Sequence, residues 1–290
     1  MLVSCLGDIM LDVIVDAPAG LVPDDDTPAT ITFAAGGQAA NVAAWTAALG
    51  GRSRVYGPRS ESGNGLLVEE ALNAAGVEVH GPVTVRSGTV MSLVADGYRS
   101  LASDPGSSDW LRLLSAGAWL DDADWLFVSG YALLRAPAPQ LVVALAATAR
   151  RAGTRVAVDL SSASMITEYG AARFRRLWQA LEPAVVFAND PEWAATHTGR
   201  STTAPSSFGA GGTSVLVLKQ GSAGCTFVID GVGDHRSPVP GRVRDVTGAG
   251  DALAAGFLLG GTELAMEAAA RCVAQLGAQP DRAQHPTRTS

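Results

Sequence analysis

The sequence Asp245-Val246-Thr247-Gly248-Ala249-Gly250-Asp251, followed by the apolar run 252–257, predicts a tight glycine turn that leads into a buried helix. In such a turn successive backbone N–H groups point toward one position, and the helix dipole adds partial positive charge there. The turn is therefore a predicted anion site. Asp251 would lie beside a bound phosphate. Because a carboxylate repels an anion, we interpret Asp251 as a general base for a hydroxyl that attacks phosphorus.

The amides of Gly248, Ala249 and Gly250 are the predicted donors of this anion hole. Glycine suits such a turn because it adopts positive φ and leaves room for a phosphate. The alternative is an ordinary tight turn, with Asp251 as an acid that only stabilises the start of a helix.

Composition indicates a folded α/β protein. The 290 residues are 47% hydrophobic and 17% charged, which allows a sizeable core. A net charge of −7 without a Lys/Arg-rich run argues against a nucleic-acid or anionic-membrane partner. The three cysteines are widely spaced, so we expect reduced thiols in a cytoplasmic protein. We expect no signal peptide and no membrane-spanning run.

Short apolar runs alternate with helical stretches along the chain. The predicted strands are 2–6, 54–56, 125–128, 155–158, 184–187 and 214–218, and the predicted helices are 38–49, 65–75, 138–151, 171–181, 250–259 and 263–276. This alternation predicts a mostly parallel sheet covered by helices on both faces. In such sheets ligands bind beyond the carboxyl ends of the strands.

Two segments interrupt the alternation. Residues 12–33 and 89–103 alternate apolar and polar residues without an intervening helix, and Asp96-Gly97 predicts a hairpin turn. A loop is predicted at 198–212 and a mobile tail at 280–290.

A second glycine motif, Gly36-Gly37-Gln38-Ala39-Ala40-Asn41-Val42-Ala43, lies near the other end of the chain. It resembles the G-G-x-x-x-N-x-A motif of the ribokinase-like (PfkB) carbohydrate kinases, and residues 245–251 resemble that family's D-T-x-G-A-G-D signature. The resemblance implies a three-layer α/β/α sandwich with a mostly parallel central sheet. It also implies one domain, 1–290, with a small β-sheet lid from about 12–34 and 88–104 that excludes water.

The resemblance assigns the acceptor side of the site. Asp12, in Gly7-Asp8-Ile9-Met10-Leu11-Asp12, matches the family acid that accepts hydrogen bonds from sugar hydroxyls. Gly36, Gly37 and Asn41 match the sugar-binding residues. The alternatives are a solvated acid at a strand end and a glycine turn that precedes a surface asparagine. Tyr131, Phe33 and Met91 are further candidate substrate contacts.

The nucleotide side rests on two more segments. Asn189-Asp190-Pro191-Glu192 resembles the family's N-x-x-E motif, which implies that Asn189 lies at the nucleotide and Glu192 holds Mg²⁺ through water. A simple helix start is the alternative. Lys219, Gly221 and Gly224 resemble a V-T-x-G-x-x-G segment beside ATP. Lys219 replaces the usual threonine and either contacts a phosphate or is a solvated lysine.

A monovalent-cation site is the remaining implied feature. Segment 276–280 resembles the part of ribokinase that contributes to such a site, with the carbonyls of Asp245 and Thr247 on its other side. The alternative is a helix C-cap at Gly277.

The predicted function is ATP-dependent phosphorylation of a hydroxymethyl group on a small sugar or sugar acid, with Mg²⁺ and possible K⁺ dependence. A homodimer through exposed lid edges is a further expectation. The alternatives are a nucleoside kinase of the same family and a non-catalytic member that binds sugar or nucleotide.

Overall fold

A computed structural model describes residues 1–95, 98–107, 109–196 and 215–281. The loop predicted at 198–212, the turn Asp96-Gly97 and most of the tail predicted at 280–290 lie outside these residues. The described chain contains the strands β1 (Leu2–Leu6), β2 (Met10–Asp16), β3 (Thr30–Gly36), β4 (Arg52–Tyr56), β5 (Val77–His80), β6 (Gly88–Ala95), β7 (Tyr98–Asp104), β8 (Trp125–Ser129), β9 (Arg155–Asp159), β10 (Val185–Asn189), β11 (Val215–Lys219), β12 (Cys225–Ile229) and β13 (Val232–Arg236).

The described helices are α1 (Gln38–Ala48), α2 (Gly63–Ala74), α3 (Gly130–Arg135), α4 (Pro139–Arg151), α5 (Ala163–Tyr169), α6 (Ala171–Gln179), α7 (Asp190–Ala195) and α8 (Ala249–Val273). Short 3₁₀ helices cover Asp109–Leu113 and Gly221–Ala223.

The large sheet has nine strands in the order β13-β12-β11-β10-β9-β8-β1-β4-β5. Every pairing from β11 through to β5 is parallel, and β12 and β13 add an antiparallel edge. The predicted mostly parallel sheet is therefore confirmed. The edge hairpin was not predicted, although Asp230-Gly231 between its two strands is the same kind of turn signal as Asp96-Gly97.

Two hydrophobic cores, one on each face of this sheet, make the three layers. In β8, Trp125 and Phe127 pack into the core that contains α1 and α8, whereas Leu126 and Val128 pack into the core formed with α4 and α6. All residues of β8 are buried. A strand covered on both faces reads as a continuous apolar run, since its alternate side chains enter different cores.

A second, smaller sheet has the order β3-β2-β6-β7. Strands β2 and β6 pair in parallel, and β3 and β7 pair antiparallel to them at the two edges. This is the small sheet that the fold prediction requires, and it comes from the two segments that interrupt the strand–helix alternation.

Helix α8 is long and apolar enough to cross a membrane by length and composition alone. Gly261 (φ 73°) interrupts it, which agrees with the two separate helices predicted at 250–259 and 263–276. Half of its most apolar window is buried, and Ala252, Leu258 and Ala265 belong to the core shared with α1. We therefore assign α8 as a core helix.

Replacing Phe127 with alanine should lower the free energy of unfolding by about 3–5 kcal/mol, because its fully buried ring would leave a cavity between β8 and α1. Urea denaturation measures this loss. Val85→Ala is the control, since Val85 is 95% exposed; equal losses in the two variants would contradict the assigned core.

Candidate active site

The carboxyl ends of adjacent parallel strands gather polar side chains at one edge of the large sheet. Strands β8, β9, β10 and β11 end at Ser129, Asp159, Asn189 and Lys219, and Asp8 follows β1. These residues are far apart in sequence, and the parallel register alone brings them together. This is the edge at which open α/β sheets bind ligands.

The glycine turn caps α8 at this edge. Gly248 is the N-cap and has φ 75°, a left-handed conformation that favours glycine. A Cβ on Gly248 would lie 2.6 Å from the Cβ of Ala278, so a larger residue would displace the neighbouring segment. The turn places Asp251 in the first turn of α8.

The carboxylate of Asp245 links the two ends of this region. Its Oδ1 accepts hydrogen bonds from the Thr247 backbone N (2.9 Å) and Oγ1 (2.5 Å), and its Oδ2 accepts one from the Gly277 N (2.9 Å). The thiol of Cys272 approaches the Thr247 carbonyl at 3.2 Å. The Asp245 side chain thus fixes the turn against Gly277.

Asp251 is partly buried, and two side-chain amides in sequence, those of Asn41 and Gln279, hold its carboxylate. Asn41 Nδ2 donates to Asp251 Oδ2 at 2.8 Å, and Gln279 Nε2 donates to Asn41 Oδ1 at 2.7 Å. Burial raises the pKa of Asp251 to about 7. The Asn41 hydrogen bond and Lys219 lower this pKa, whereas the nearby carboxylates, Asp159 first among them, raise it. The group can therefore exchange a proton near neutral pH.

Lys219 forms the main charge contact of the site. Its Nζ donates to Asp159 Oδ2 at 2.6 Å, and Asp159 is fully buried. Burial by itself lowers the pKa of Lys219, but the carboxylates of Asp159 and Glu192 more than offset this effect and raise the pKa overall. A Cβ on Gly250 would lie 3.3 Å from Lys219 Nζ, so the ammonium lies against the glycine turn. It is not a solvated lysine.

Asn189 and Glu192 form a reciprocal capping box at the start of α7. Asn189 Oδ1 accepts a hydrogen bond from the Glu192 backbone N, and both Glu192 carboxylate oxygens accept hydrogen bonds from Asn189 (each 2.8 Å). Glu192 is 4% exposed. Burial raises the pKa of Glu192, Lys219 lowers it and Asp159 raises it further. The motif forms a helix start with a buried carboxylate, and the role of Glu192 toward Mg²⁺ stays a prediction.

The acceptor-side residues form a compact turn between β3 and α1. A Cβ on Gly36 would lie 2.1 Å from Asp12 Oδ1, so the Asp12 carboxylate lies directly over Gly36. Gly37 (φ 92°) is the N-cap of α1, and a Cβ there would lie 2.3 Å from the Asp8 carbonyl oxygen. Asn41, on the first turns of α1, is 6% exposed and faces Asp251.

The strand-turn segment of Gly221 and Gly224 joins β11 to β12. Gly221 has φ 56° and Gly224 has φ 103°. A Cβ on Gly224 would lie 2.1 Å from the Arg236 carbonyl oxygen of β13. Gly224 therefore allows close strand packing, whereas Gly221 is exposed with open space around it.

Two candidate substrate contacts, Phe33 and Met91, lie on the face of the small sheet opposite to Asp12. Phe33 and Met91 both pair with Val13, so strand alternation places them opposite to the neighbouring Asp12. They are 58% and 41% exposed. Phe33 also lines a groove of about 420 Å³ against α2, together with Leu67 and other residues. These two residues are therefore not contacts of an acceptor bound at Asp12.

Sequence reasoning missed several groups that the structure adds to the site. Asp159 and Asp8 directly follow predicted strands, and that position at the carboxyl edge was the available signal. Gln38 Oε1 accepts hydrogen bonds from Ser129 (2.5 Å) and Ser161 (2.7 Å). Ser161 has φ 73°, which is uncommon for a residue other than glycine and is typical of constrained sites.

Comparisons with known proteins agree with this arrangement. The model of the pfkB family carbohydrate kinases matches residues 1–279. An ATP-dependent ribose-1-phosphate kinase from Halopiger xanaduensis is 30% identical over 280 residues, which cover 92% of this chain and 89% of that protein. The solved adenosine kinase from Sinorhizobium meliloti has a TM-score of 0.83 at 23% identity and covers 96% of this chain and 95% of its own. Ribokinase from Thermotoga maritima has a TM-score of 0.74 at 18% identity, with 98% and 97% covered.

The fold, the strand-end site and these matches define an ATP-dependent kinase that transfers phosphate to an alcohol group. The chain belongs to the PfkB family of carbohydrate kinases. The resemblance and the fold class predicted from the two glycine motifs are confirmed, and the non-catalytic alternative has no support.

Lys219→Met should lower the free energy of unfolding by about 3–5 kcal/mol, because it leaves the fully buried Asp159 without its cation. Urea denaturation measures the loss. The double variant Lys219→Met/Asp159→Asn removes both charges and should recover most of it. If the double variant were as unstable as the single one, the ion pair would not be the cause.

Asp251→Asn should stabilise the protein more at pH 8 than at pH 5. The native pKa of Asp251, about 7, lies above the ordinary value of 3.8, so its ionisation favours unfolding progressively as pH rises between these values. Asparagine has no charge and can still accept the Asn41 hydrogen bond. Thermal melting should show Tm raised by at least ~2 °C at pH 8 and by a smaller amount at pH 5. An equal shift at pH 5 would point to a different cause.

Proposed function

We propose that this protein transfers the γ-phosphoryl group of ATP to a hydroxymethyl group of a small sugar or sugar acid, with Asp251 as general base. The observation that supports this proposal best is the position of Asp251: it lies in the first turn of α8, beside the glycine turn, and burial raises its pKa to about 7. Asn41 holds one of its carboxylate oxygens and thereby fixes the orientation of the base.

The acceptor would bind between the small sheet and the carboxyl edge of the large sheet. Asp12 would accept hydrogen bonds from sugar hydroxyls, and Gly36 and Gly37 would let the sugar approach the backbone. An amide nitrogen carries two hydrogens. Asn41 could therefore hold Asp251 and still donate to a sugar oxygen.

In the transfer step, Asp251 would take the proton of the acceptor hydroxyl as its oxygen bonds to the γ-phosphorus. The bond from that phosphorus to the β,γ-bridging oxygen breaks, and ADP leaves. The amides of Gly248, Ala249 and Gly250 would stabilise the charge on the transferring group. Lys219 Nζ, against Gly250, would add a positive charge beside this position.

The charges of the site fit a divalent cation. Asp159, Glu192 and Asp251 surround a single lysine, Lys219, and the raised pKa values of Glu192 and Asp251 reflect burial and crowding of negative charge. No cluster of three or more metal-ligating side chains occurs among the described residues. Glu192 would therefore hold Mg²⁺ through water, as the ion commonly prefers, and the bound ion would neutralise phosphate charge.

Three finer points remain part of the proposal. A K⁺ ion would be held by the carbonyls of Asp245 and Thr247 beside segment 277–279, which the Asp245 side chain already fixes.

Small sheets with open edges favour pairing between copies, so we propose a homodimer through the small sheet, whose edges are β3 and β7. We also propose a cytoplasmic location.

Asp251→Asn should lower kcat by at least ~10²-fold, because the general base is lost while the anion hole stays. ADP release from MgATP with K⁺ measures this across pentoses, ketoses, sugar acids, sugar phosphates and nucleosides. A preference for nucleosides in the wild type would favour the nucleoside-kinase alternative.

The matched control is Asp109→Asn, since Asp109 is exposed and lies on a 3₁₀ helix away from the strand ends. It should keep wild-type activity. ATP binding, measured by calorimetry, should remain in Asp251→Asn. Full activity of Asp251→Asn would overturn the assignment of the base.

A further inference from the structure

Arg135 and Asp8 form a pair that the phosphoryl transfer described above does not use. Arg135 Nη1 donates to Asp8 Oδ2 at 2.7 Å, and the two side chains are 20% and 10% exposed. The Asp8 carbonyl oxygen lies directly under Gly37, 2.3 Å from the position of a Cβ on that residue. The pair therefore borders the turn that we assign to the acceptor.

Tyr131 packs against the Arg135 guanidinium. The Arg135 guanidinium lies 4.8 Å from the centre of the Tyr131 ring. Burial raises the pKa of Tyr131, Glu192, Asp159 and Asp251 raise it further, and Arg135 lowers it. The ring is therefore close enough to both the guanidinium and the site carboxylates for their charges to shift its pKa.

The Arg135 guanidinium has hydrogen-bond donors available for another partner. It has five N–H donors, of which Asp8 takes one on Nη1 among the described residues, while Tyr131 covers one face. Burial raises the pKa of Asp8 and Arg135 only partly offsets this effect. A planar guanidinium binds two oxygens of a phosphate or carboxylate side by side, and such charged hydrogen bonds are strong.

We propose that the acceptor carries an anionic group, a phosphate ester or a carboxylate on the sugar, and that Arg135 binds it. This inference rests on the proposed function and names its substrate class. A sugar anion that enters beside Asp12 and Asp251 requires a cation, since unpaired charge is costly in a buried site. Lys219 is held by Asp159 at the nucleotide end. Among the described residues, Arg135 is a cation that borders the turn assigned to the acceptor and has donors beyond the one that Asp8 accepts. Ribose 1-phosphate, after which the Halopiger relative is named, is such an anion.

The test compares wild type, Arg135→Gln and Arg135→Lys with three acceptors: ribose 1-phosphate, ribonic acid and ribose. Arg135→Gln should lower kcat/KM for the anionic acceptor on the order of 10²-fold and for ribose by less than about threefold. Arg135→Lys should recover part of the loss, since it restores the charge without the planar fork. Loss confined to ribose 1-phosphate identifies a phosphate, and loss confined to ribonic acid identifies a carboxylate; either result supports the proposal.

Arg155→Gln is the matched control. Arg155 also stacks on an aromatic ring, Trp125 at 4.0 Å, but it begins β9 at the opposite edge of the sheet. It should leave all three activities unchanged.

A second variant separates binding from folding. Asp8→Asn/Arg135→Gln removes both charges, so its Tm should return toward the wild-type value while the loss on the anionic acceptor persists. Recovery of that activity would mean that Arg135 only neutralises Asp8, and would overturn the proposal. An equal loss on ribose, or a wild-type preference for ribose, would also overturn it. Absence of ADP release with every acceptor would instead refute the proposed function.

Discussion

The ion pair between Lys219 and Asp159 is the interaction on which the electrostatics of the site depend. It joins the ends of β9 and β11, which lie on either side of β10, and it places a buried ammonium against Gly250. Without this cation, Asp159 and Glu192 would lie as unpaired buried carboxylates, which is costly. With it, the site still has an excess of negative charge, which suits a cation brought in with a nucleotide.

Burial, together with this excess charge, explains why Asp251, the proposed base, can act near neutral pH. Burial and the other carboxylates of the site raise the pKa of Asp251. The hydrogen bond from Asn41 limits this rise. Gln279 holds the other end of the Asn41 amide. The orientation of the base thus depends on a residue from the segment that Asp245 fixes through Gly277, so the turn, the base and that segment form one connected unit.

The acceptor and nucleotide ends of the site differ in their cations. Lys219 pairs with Asp159 at the proposed nucleotide end, whereas Arg135 pairs with Asp8 at the proposed acceptor end. Each cation has a carboxylate partner from the end of a different strand. This separation allows one site to accept negative charge at two places without bringing the two cations together.

The sequence by itself determined the fold class and the chemistry of the turn. Residues 245–251 and 36–43 carry enough local information, because glycines at positive φ and an acid at a helix start are fixed by backbone sterics and the helix dipole. Only the tertiary structure decided the role of Lys219, its pairing with Asp159, the place of Arg135 and the outward direction of Phe33. Those depend on which strands become neighbours and on the register between them, and no local pattern in the chain specifies either.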